Sequence, residues 1–258
     1  MTEQDWNPEA YERFRGLRLR PAIDLLAQVP TVPDGDVVDL GCGAGVMGAA
    51  LRQRFSRPVI GIDTSPAMLA KAEATGSYDR LIEADAASWQ PDTPPTLIFS
   101  NAVCHWLADH DALFPRLLHL LAPGGTLAVQ VPRQYAAPSH ALLRDLAQEM
   151  FPDRFDFANW TAPVATAPVY MKMLTPFGEV SAWETEYCQR LARSDTGHPV
   201  QAFTSSTAMR PFVEKLGPDE LRRYQRAYDE ALHAAYPLAE DGSAIMPFRR
   251  VFFVVTRP

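Results

Sequence analysis

The chain has 258 residues, of which 47% are hydrophobic, and a formal net charge of -7 at pH 7. This length fits one large α/β domain with a sizeable core, and the acidic balance argues against a general nucleic-acid binder. Its three cysteines, Cys42, Cys104 and Cys188, are too widely spaced for a disulfide framework or a zinc site, and they fit a reducing compartment. The polar N-terminus has no apolar signal core, and VFFVV, the longest plain apolar run, is too short to span a bilayer. We therefore expect a cytoplasmic protein.

Strands and helices alternate over the first half of the chain. A helix is predicted over 8–29, with a break at Arg20-Pro21 because a residue before proline avoids the α region. The elements predicted after it are a strand at 37–40, a helix at 45–55, a strand at 59–63, a helix at 65–74, strands at 80–85 and 96–103, a helix at 109–121 and a strand at 126–132. Alternation with short connections predicts an α/β fold with a doubly wound, mostly parallel sheet.

The second half is predicted to be more helical. The elements predicted there are a helix at 139–150, a short helix in VYMKML, a strand in EVSAWETEYCQRL, two helices within 200–237 and a terminal strand in RRVFFVVT. We therefore expect a helical insertion at 190–246, between the last two strands, that caps the carboxyl edge of the sheet.

A glycine cluster follows the first predicted strand, in VVDLGCGAGVMG at 37–48. Its second half, GAGVMG, matches the G-x-G-x-x-G pattern, and Asp63 lies twenty residues after Gly43, as in a dinucleotide-binding enzyme. Two features disfavour that hypothesis. The carboxylate of Asp39 would repel a pyrophosphate but could pair with an ammonium group. The glycines also alternate directly after the strand, from Gly41 to Gly45, so the literal match begins where a helix is expected.

Four correctly spaced segments carry a family resemblance. D-L-G-C-G-x-G, then G-I-D, E-A-D and L-L-A-P-G-G-T-L-A-V resemble the class I S-adenosylmethionine-dependent methyltransferases over residues 30–135. The resemblance implies a Rossmann-like, seven-stranded sheet whose last strand is antiparallel. D-W-N-P-x-x-Y-x-x-F at 5–14, R-x-R-P at 18–21, S-N-A-x-x-H-W-L-x-D-H at 100–110 and M-R-P-F at 209–212 resemble the trans-aconitate 2-methyltransferase family. Two positions depart from that pattern, Ala44 where proline is expected and His105 where glutamine is expected.

The resemblance implies which residues bind the cofactor, S-adenosylmethionine, without a metal. They are Asp39, Gly41, Gly43, Gly45, Asp63, Thr64, Met68, Asp85, Ala86, Asn101 and Ala102. The glycines would line the methionine part, with Asp39 near its amino group. Asp63 would accept hydrogen bonds from both ribose hydroxyls and Asp85 from the adenine amino group. Thr64 and Met68 would flank the adenine ring, while Asn101 and Ala102 would frame the methyl-transfer centre.

Acceptor chemistry supplies a second set of candidates. A carboxylate is ionised at pH 7 and needs no general base, so the protein has to align it and supply cations, for which arginine is suited. The candidates for substrate binding are Trp6, Tyr11, Arg18, Arg20, His105, Trp106 and Arg210. Arg18 falls on the apolar face of the first helix, where its partner is either substrate or an internal acid. His105 could act as a base if the acceptor were a hydroxyl or an amine. Arg250, which precedes the apolar residues of the last strand, is either a further cation for the acceptor or an ordinary surface charge, and the surface charge is favoured.

The leading hypothesis is an O-methyltransferase that esterifies one carboxylate of trans-aconitate or a similar small polycarboxylate. In this interpretation residues 1–258 form one domain, with an N-terminal segment at 1–30 over the active site, a cofactor-binding core at 30–135 and the cap at 190–246. The alternatives are a methyltransferase for another free acid or a carrier-bound acyl group, a non-catalytic cofactor-binding module and a nicotinamide dehydrogenase. We expect no nucleic-acid, membrane or obligate protein partner.

Overall fold

The computed structural model describes residues 15–258. The first described helix, α1, spans Arg15–Ala27 and continues through Pro21. The break predicted at Arg20-Pro21 is therefore wrong. Ala22 and Leu25 are completely or almost completely buried, and the helix packs on the fifth strand of the sheet. Burial of this apolar face stabilises the helix and outweighs the hydrogen bond that proline removes.

The remaining helices and strands follow the predicted order. The strands are β1 (Val37–Leu40), β2 (Val59–Asp63), β3 (Arg80–Glu83), β4 (Leu97–Asn101), β5 (Thr126–Pro132), β6 (Glu179–Leu191) and β7 (Ala244–Thr256). The helices are α2 (Gly48–Phe55), α3 (Pro66–Ala74), α4 (His110–Leu120), α5 (Pro138–Met150), α6 (Ala167–Leu174), α7 (Pro199–Ser205), α8 (Arg210–Val213) and α9 (Pro218–Ala235). Short 3-10 turns lie at Cys104–Trp106 and Thr175–Phe177.

One seven-stranded sheet has the strand order β3-β2-β1-β4-β5-β7-β6. The first five strands along the chain pair in parallel, and β7 pairs with β5 in the antiparallel sense. The predicted α/β sheet is thus confirmed, including the antiparallel last strand. The order of the strands reverses between β1 and β4, and in open α/β sheets ligands bind at the carboxyl ends of the strands at such a point.

Two compact units make up the described chain. One comprises the described residues up to 132, then 163–185 and 250–258, and it holds the parallel strands. Its core includes an aromatic cluster in which Phe253 contacts Phe114 and Tyr170, with ring centroids 4.8 and 5.2 Å apart. The hydroxyl of Tyr170 lies 2.6 Å from Nδ1 of His110. This cluster covers the sheet face opposite to the one that carries Asp39.

The second unit comprises residues 133–162 and 186–249. Helices α5 and α9 are joined there by the Tyr224 hydroxyl, which donates to the carbonyl of Leu143 at 2.7 Å. A cavity of about 610 Å³ in this unit is lined in part by Tyr135 and Arg249. Three helices, not the two predicted, lie between β6 and β7, since α8 is separate from α7. The segment 133–162, which the predicted cap did not include, belongs to the same unit, and the domain boundaries stay a prediction.

Over residues 15–258, no helix is long and apolar enough to cross a membrane.

Candidate active site

The glycine loop after β1 has the conformation that its alternating glycines predict. Gly41, Gly43 and Gly45 have φ values of +77°, +53° and +79°, the left-handed region that glycine adopts readily. Helix α2 begins at Gly48, so the helix start predicted at residue 45 is wrong. The loop keeps its turns through Met47. Gly48 has a packing role, because a Cβ there would lie 2.7 Å from Cε2 of Tyr78.

Two of these glycines provide a matched pair of variants. A Cβ on Gly41 would lie 2.0 Å from Cγ2 of Val103, whereas a Cβ on Gly43 would meet no atom within 4 Å among the described residues. We expect Gly41→Ala to unfold the loop and lower the melting temperature sharply. Gly43→Ala should cost only the left-handed strain of about 1–2 kcal/mol. It should still weaken cofactor binding, because its methyl group would enter the open space that the methionine part of the cofactor is expected to fill. Thermal melts and calorimetry with S-adenosylhomocysteine test this; equal affinity losses in both folded variants would contradict it.

Asp63 joins the glycine loop to the end of β2. Its Oδ2 accepts from the backbone N–H of Gly43 at 2.9 Å, and its Oδ1 accepts from the N–H of Ser65 at 2.9 Å. The Ser65 hydroxyl caps α3 by accepting from the Met68 N–H, as predicted. A carboxylate has about four acceptor positions, so Asp63 can accept further hydrogen bonds while it holds the loop.

Asp39 lies in β1 beneath the same loop and is 3% exposed. The hydroxyl of Tyr78 donates to its Oδ2 at 2.7 Å. Burial raises the pKa of Asp39 to about 7; the Tyr78 hydrogen bond opposes the rise and the charge of Asp63 adds to it. Tyr78 also packs against the loop, since Cβ atoms on Gly45 and Gly61 would lie within 3.0 Å of its ring. No signal in the sequence indicated this role of Tyr78.

The loop after β3 carries Asp85 and Ala86. Asp85 is exposed and its Oδ1 accepts from the N–H of Ala87 at 2.8 Å, while Ala86 is buried. Arg116 of α4 donates to the carbonyls of Ala86 and Trp89 at 2.6 and 2.8 Å. This arginine fixes the loop and is a second positioning residue that the sequence analysis missed.

Thr64 and Met68 lie at the start of α3. Thr64 is exposed, and Met68 is 5% exposed and belongs to the core. Their contact with an adenine ring stays a prediction.

The segment after β4 holds Asn101 and Ala102. Ala102 has a φ of +56°, a strained conformation for a residue with a side chain, of the kind that clusters at functional sites. Its N–H donates to the carbonyl of Gln130 at 2.8 Å. The Oδ1 atom of Asn101 is buried and has no hydrogen-bond partner among the described residues. Both features are compatible with the predicted methyl-transfer centre.

The predicted acceptor residues have different environments. Arg20 is exposed, 3.9 Å from Asp24, and Trp106 is 48% exposed. The His105 ring lies against that of Trp106, with centroids 4.6 Å apart, and Arg210 begins α8 in the second unit. Trp6, Tyr11 and the side chain of Arg18 lie outside the described residues. The role of each in binding an acceptor stays a prediction.

Arg250 is buried in the sheet, contrary to the expectation from the sequence. It was interpreted as a surface charge, but it is 3% exposed and lies within β7. The strand begins at Ala244, five residues before its predicted start, so Arg250 is an interior strand residue. Its Nη1 donates to Oε1 of Gln130 at 3.3 Å.

No group of three or more His, Cys, Asp or Glu side chains over residues 15–258 could hold a metal ion.

Comparison with known proteins identifies the family. The methyltransferase-domain family matches residues 11–167. A trans-aconitate 2-methyltransferase of Methylobacterium radiotolerans is 40% identical over 267 residues, with 98% of both chains covered. The Escherichia coli protein of the same name is 39% identical over 256 residues, again with 98% of both chains covered. The chain belongs to the trans-aconitate 2-methyltransferase family.

Solved structures agree with the fold of this methyltransferase. The YcgJ protein from Bacillus subtilis has a TM-score of 0.58 at 14% identity, with 92% of this chain and 98% of that chain covered. A Haemonchus contortus phosphoethanolamine N-methyltransferase in complex with S-adenosyl-L-methionine has a TM-score of 0.53 at 15% identity, with 93% of this chain and 52% of that chain covered. At such identities the likeness concerns the fold.

Proposed function

We propose that this methyltransferase transfers the methyl group of S-adenosylmethionine to one carboxylate of trans-aconitate or a similar small polycarboxylate. The observation that carries the proposal is the 39–40% identity to trans-aconitate 2-methyltransferases over 98% of each chain. The acidic net charge of -7 supports a small-molecule acceptor over nucleic acid. The three free thiols support a reducing, cytoplasmic compartment, and we propose that the reaction needs no metal.

The residues at the carboxyl edge suit S-adenosylmethionine. Gly43 leaves open space where a Cβ would stand, Asp63 has spare acceptor capacity, and Asn101 has a buried oxygen without a partner among the described residues. Asp39 is a carboxylate suited to an ammonium group. When bound, this cofactor supplies an electrophilic methyl group on a sulfonium.

The chain's own residues then have to bind the cofactor and the acceptor and align them with each other. Asp63 fixes the ribose, the glycine loop lines the methionine part, and Asp39 holds the amino group by charge. An acceptor carboxylate is ionised at pH 7, so no residue has to remove a proton. In this proposal the rate enhancement comes from alignment and from excluding water, and His105 is a donor or a pocket wall instead of a base.

An acceptor screen tests the proposal. We expect the purified protein with labelled S-adenosylmethionine to methylate trans-aconitate with a higher kcat/KM than saturated tricarboxylic or monocarboxylic acids. The product should be a base-labile ester, as mass spectrometry and alkaline release would detect. Binding of S-adenosylhomocysteine without methyl transfer to any acid would instead favour a non-catalytic module, and binding of NAD alone would favour a dehydrogenase.

A further inference from the structure

One face of the sheet carries a row of polar side chains on five neighbouring strands, along the edge where the parallel strands end. Asp39 in β1 is paired in register with Gly61 and Phe99, so it shares its face with the residues two positions beyond each, Asp63 and Asn101. The row therefore begins with two acids, on β2 and β1, followed by an amide on β4.

Register extends the same row to β5 and β7. Asn101 is opposite Gln130, and Gln130 is opposite Phe252, which shares its face with Arg250 two residues earlier. The hydrogen bond from Arg250 to Gln130 places these two side chains together. Read across the sheet, the row is acid, acid, amide, amide and guanidinium. Neighbouring strands are about 4.8 Å apart, so the distance from β1 to β7, three strands along the sheet, is about 14 Å.

The two ends of the row have opposite charge. The acids are matched to the ribose hydroxyls and the ammonium group of the cofactor. At the other end, the Arg250 guanidinium is a planar fork of N–H donors, and a carboxylate is the ligand whose geometry matches that fork. Gln130 is completely buried, and its Nε2 has no hydrogen-bond partner among the described residues. Since Arg250 donates to Oε1, Nε2 is the donor of this amide that is left unmatched among the described residues.

We propose that Arg250 and the Gln130 amide together bind a carboxylate of the acceptor acid, in line with the cofactor's end of the row. This inference rests on the proposed function and adds two binding residues to it. A donor without a partner is costly when buried, and a substrate carboxylate that accepts from Nε2 recovers the lost hydrogen bond. The guanidinium then selects acids with more than one carboxylate, because one is held while another receives the methyl group.

Arg250→Met provides the first test. Loss of a charge-assisted contact should raise the KM for trans-aconitate by about 10- to 100-fold. The affinity for S-adenosylhomocysteine should stay within about twofold. Arg250→Lys should recover part of the loss, since it keeps the charge but loses the planar fork. The matched control is Arg249→Met: that neighbouring side chain is about half exposed, lines the cavity of the second unit and pairs with Glu186, so its KM should not change.

A second variant remains informative if Arg250→Met does not fold. Gln130→Glu keeps the side-chain volume and replaces the Nε2 donor with a carboxylate oxygen, which would repel the acceptor's carboxylate. It should bind S-adenosylhomocysteine normally and show a KM for trans-aconitate raised by about 10-fold or more. Acceptors that lack one carboxylate allow a cycle of measurements in which the protein, the acceptor or both lose one partner of the contact. Truncating the acceptor should raise the KM of the wild type far more than that of Arg250→Met, because the effects of removing two groups that contact each other are not additive.

The outcomes separate the two proposals. Wild-type protein that methylates no acid overturns the proposed function, and this inference with it. Wild-type protein that methylates trans-aconitate, with folded Arg250 and Gln130 variants whose acceptor KM is unchanged, overturns this inference alone. An equal rise of KM in Arg249→Met also overturns it, because the effect would then be general electrostatics.

Discussion

Replacing Asp63 with alanine should lower the affinity for S-adenosylhomocysteine by about 100-fold or more. The carboxylate accepts from the backbone of Gly43 and Ser65, and we infer that it also accepts from the ribose hydroxyls. Removing it loses charge-assisted hydrogen bonds worth about 1.5–3 kcal/mol each and leaves two loop N–H groups without their acceptor. Isothermal titration calorimetry at fixed pH measures the loss directly.

Asp79 provides the matched control for Asp63. It also accepts from a backbone N–H, that of Val59 at 2.8 Å, and it pairs with Arg52, but it lies before β3, away from the carboxyl edge. Asp79→Ala should lower the melting temperature without changing the affinity for S-adenosylhomocysteine. Equal losses of affinity in both variants would show that Asp63 acts only through stability. Asp63→Asn should be intermediate, since it keeps one acceptor oxygen.

The sequence predicted the part of the candidate site that depends on local pattern, the glycine loop and the strand end with Asp63. A strand, alternating glycines and a helix lie within twenty residues, so the register of the loop and the position of Asp63 follow from the spacing of Gly41, Gly43 and Gly45. The antiparallel last strand came from the family resemblance. The predicted limits of the helices were less accurate than the order of the elements, because the loop continues to Met47 and α2 begins only at Gly48.

The missed residues contact partners that are distant in sequence. Tyr78 reaches Asp39 from 39 residues away, and Arg250 reaches Gln130 from 120 residues away. Local patterning does not indicate such pairs. One signal was available: Gln130 interrupts the otherwise apolar strand TLAVQVP, and a glutamine in a strand buried on both faces calls for a polar partner. Arg250 was misread because the start of β7 was placed five residues too late.

Cofactor affinity should depend on pH through Asp39. With a pKa of about 7, its carboxyl group is mostly protonated at pH 6 and mostly ionised at pH 8. Only the ionised form attracts an ammonium group, so the association constant for S-adenosylhomocysteine should rise by about tenfold per pH unit below 7 and level off above it. Calorimetry from pH 5.5 to 8.5 tests this. Asp39→Asn should remove the dependence and bind weakly throughout; a pH-independent wild type would contradict the assignment.

Tyr78→Phe should move that transition to higher pH. The Tyr78 hydroxyl donates to the Asp39 carboxylate and holds its pKa below the level that burial alone would set. Without this donor the ionised form is less stable, so a higher pH is needed to reach the same affinity, while the ring still packs against Gly45 and Gly61. The matched control is Tyr170→Phe, which loses a buried hydroxyl in the aromatic cluster on the opposite face of the sheet. It should lower stability and leave the midpoint of the pH profile unchanged; a shift in both variants would mean that the profile reports folding and not Asp39.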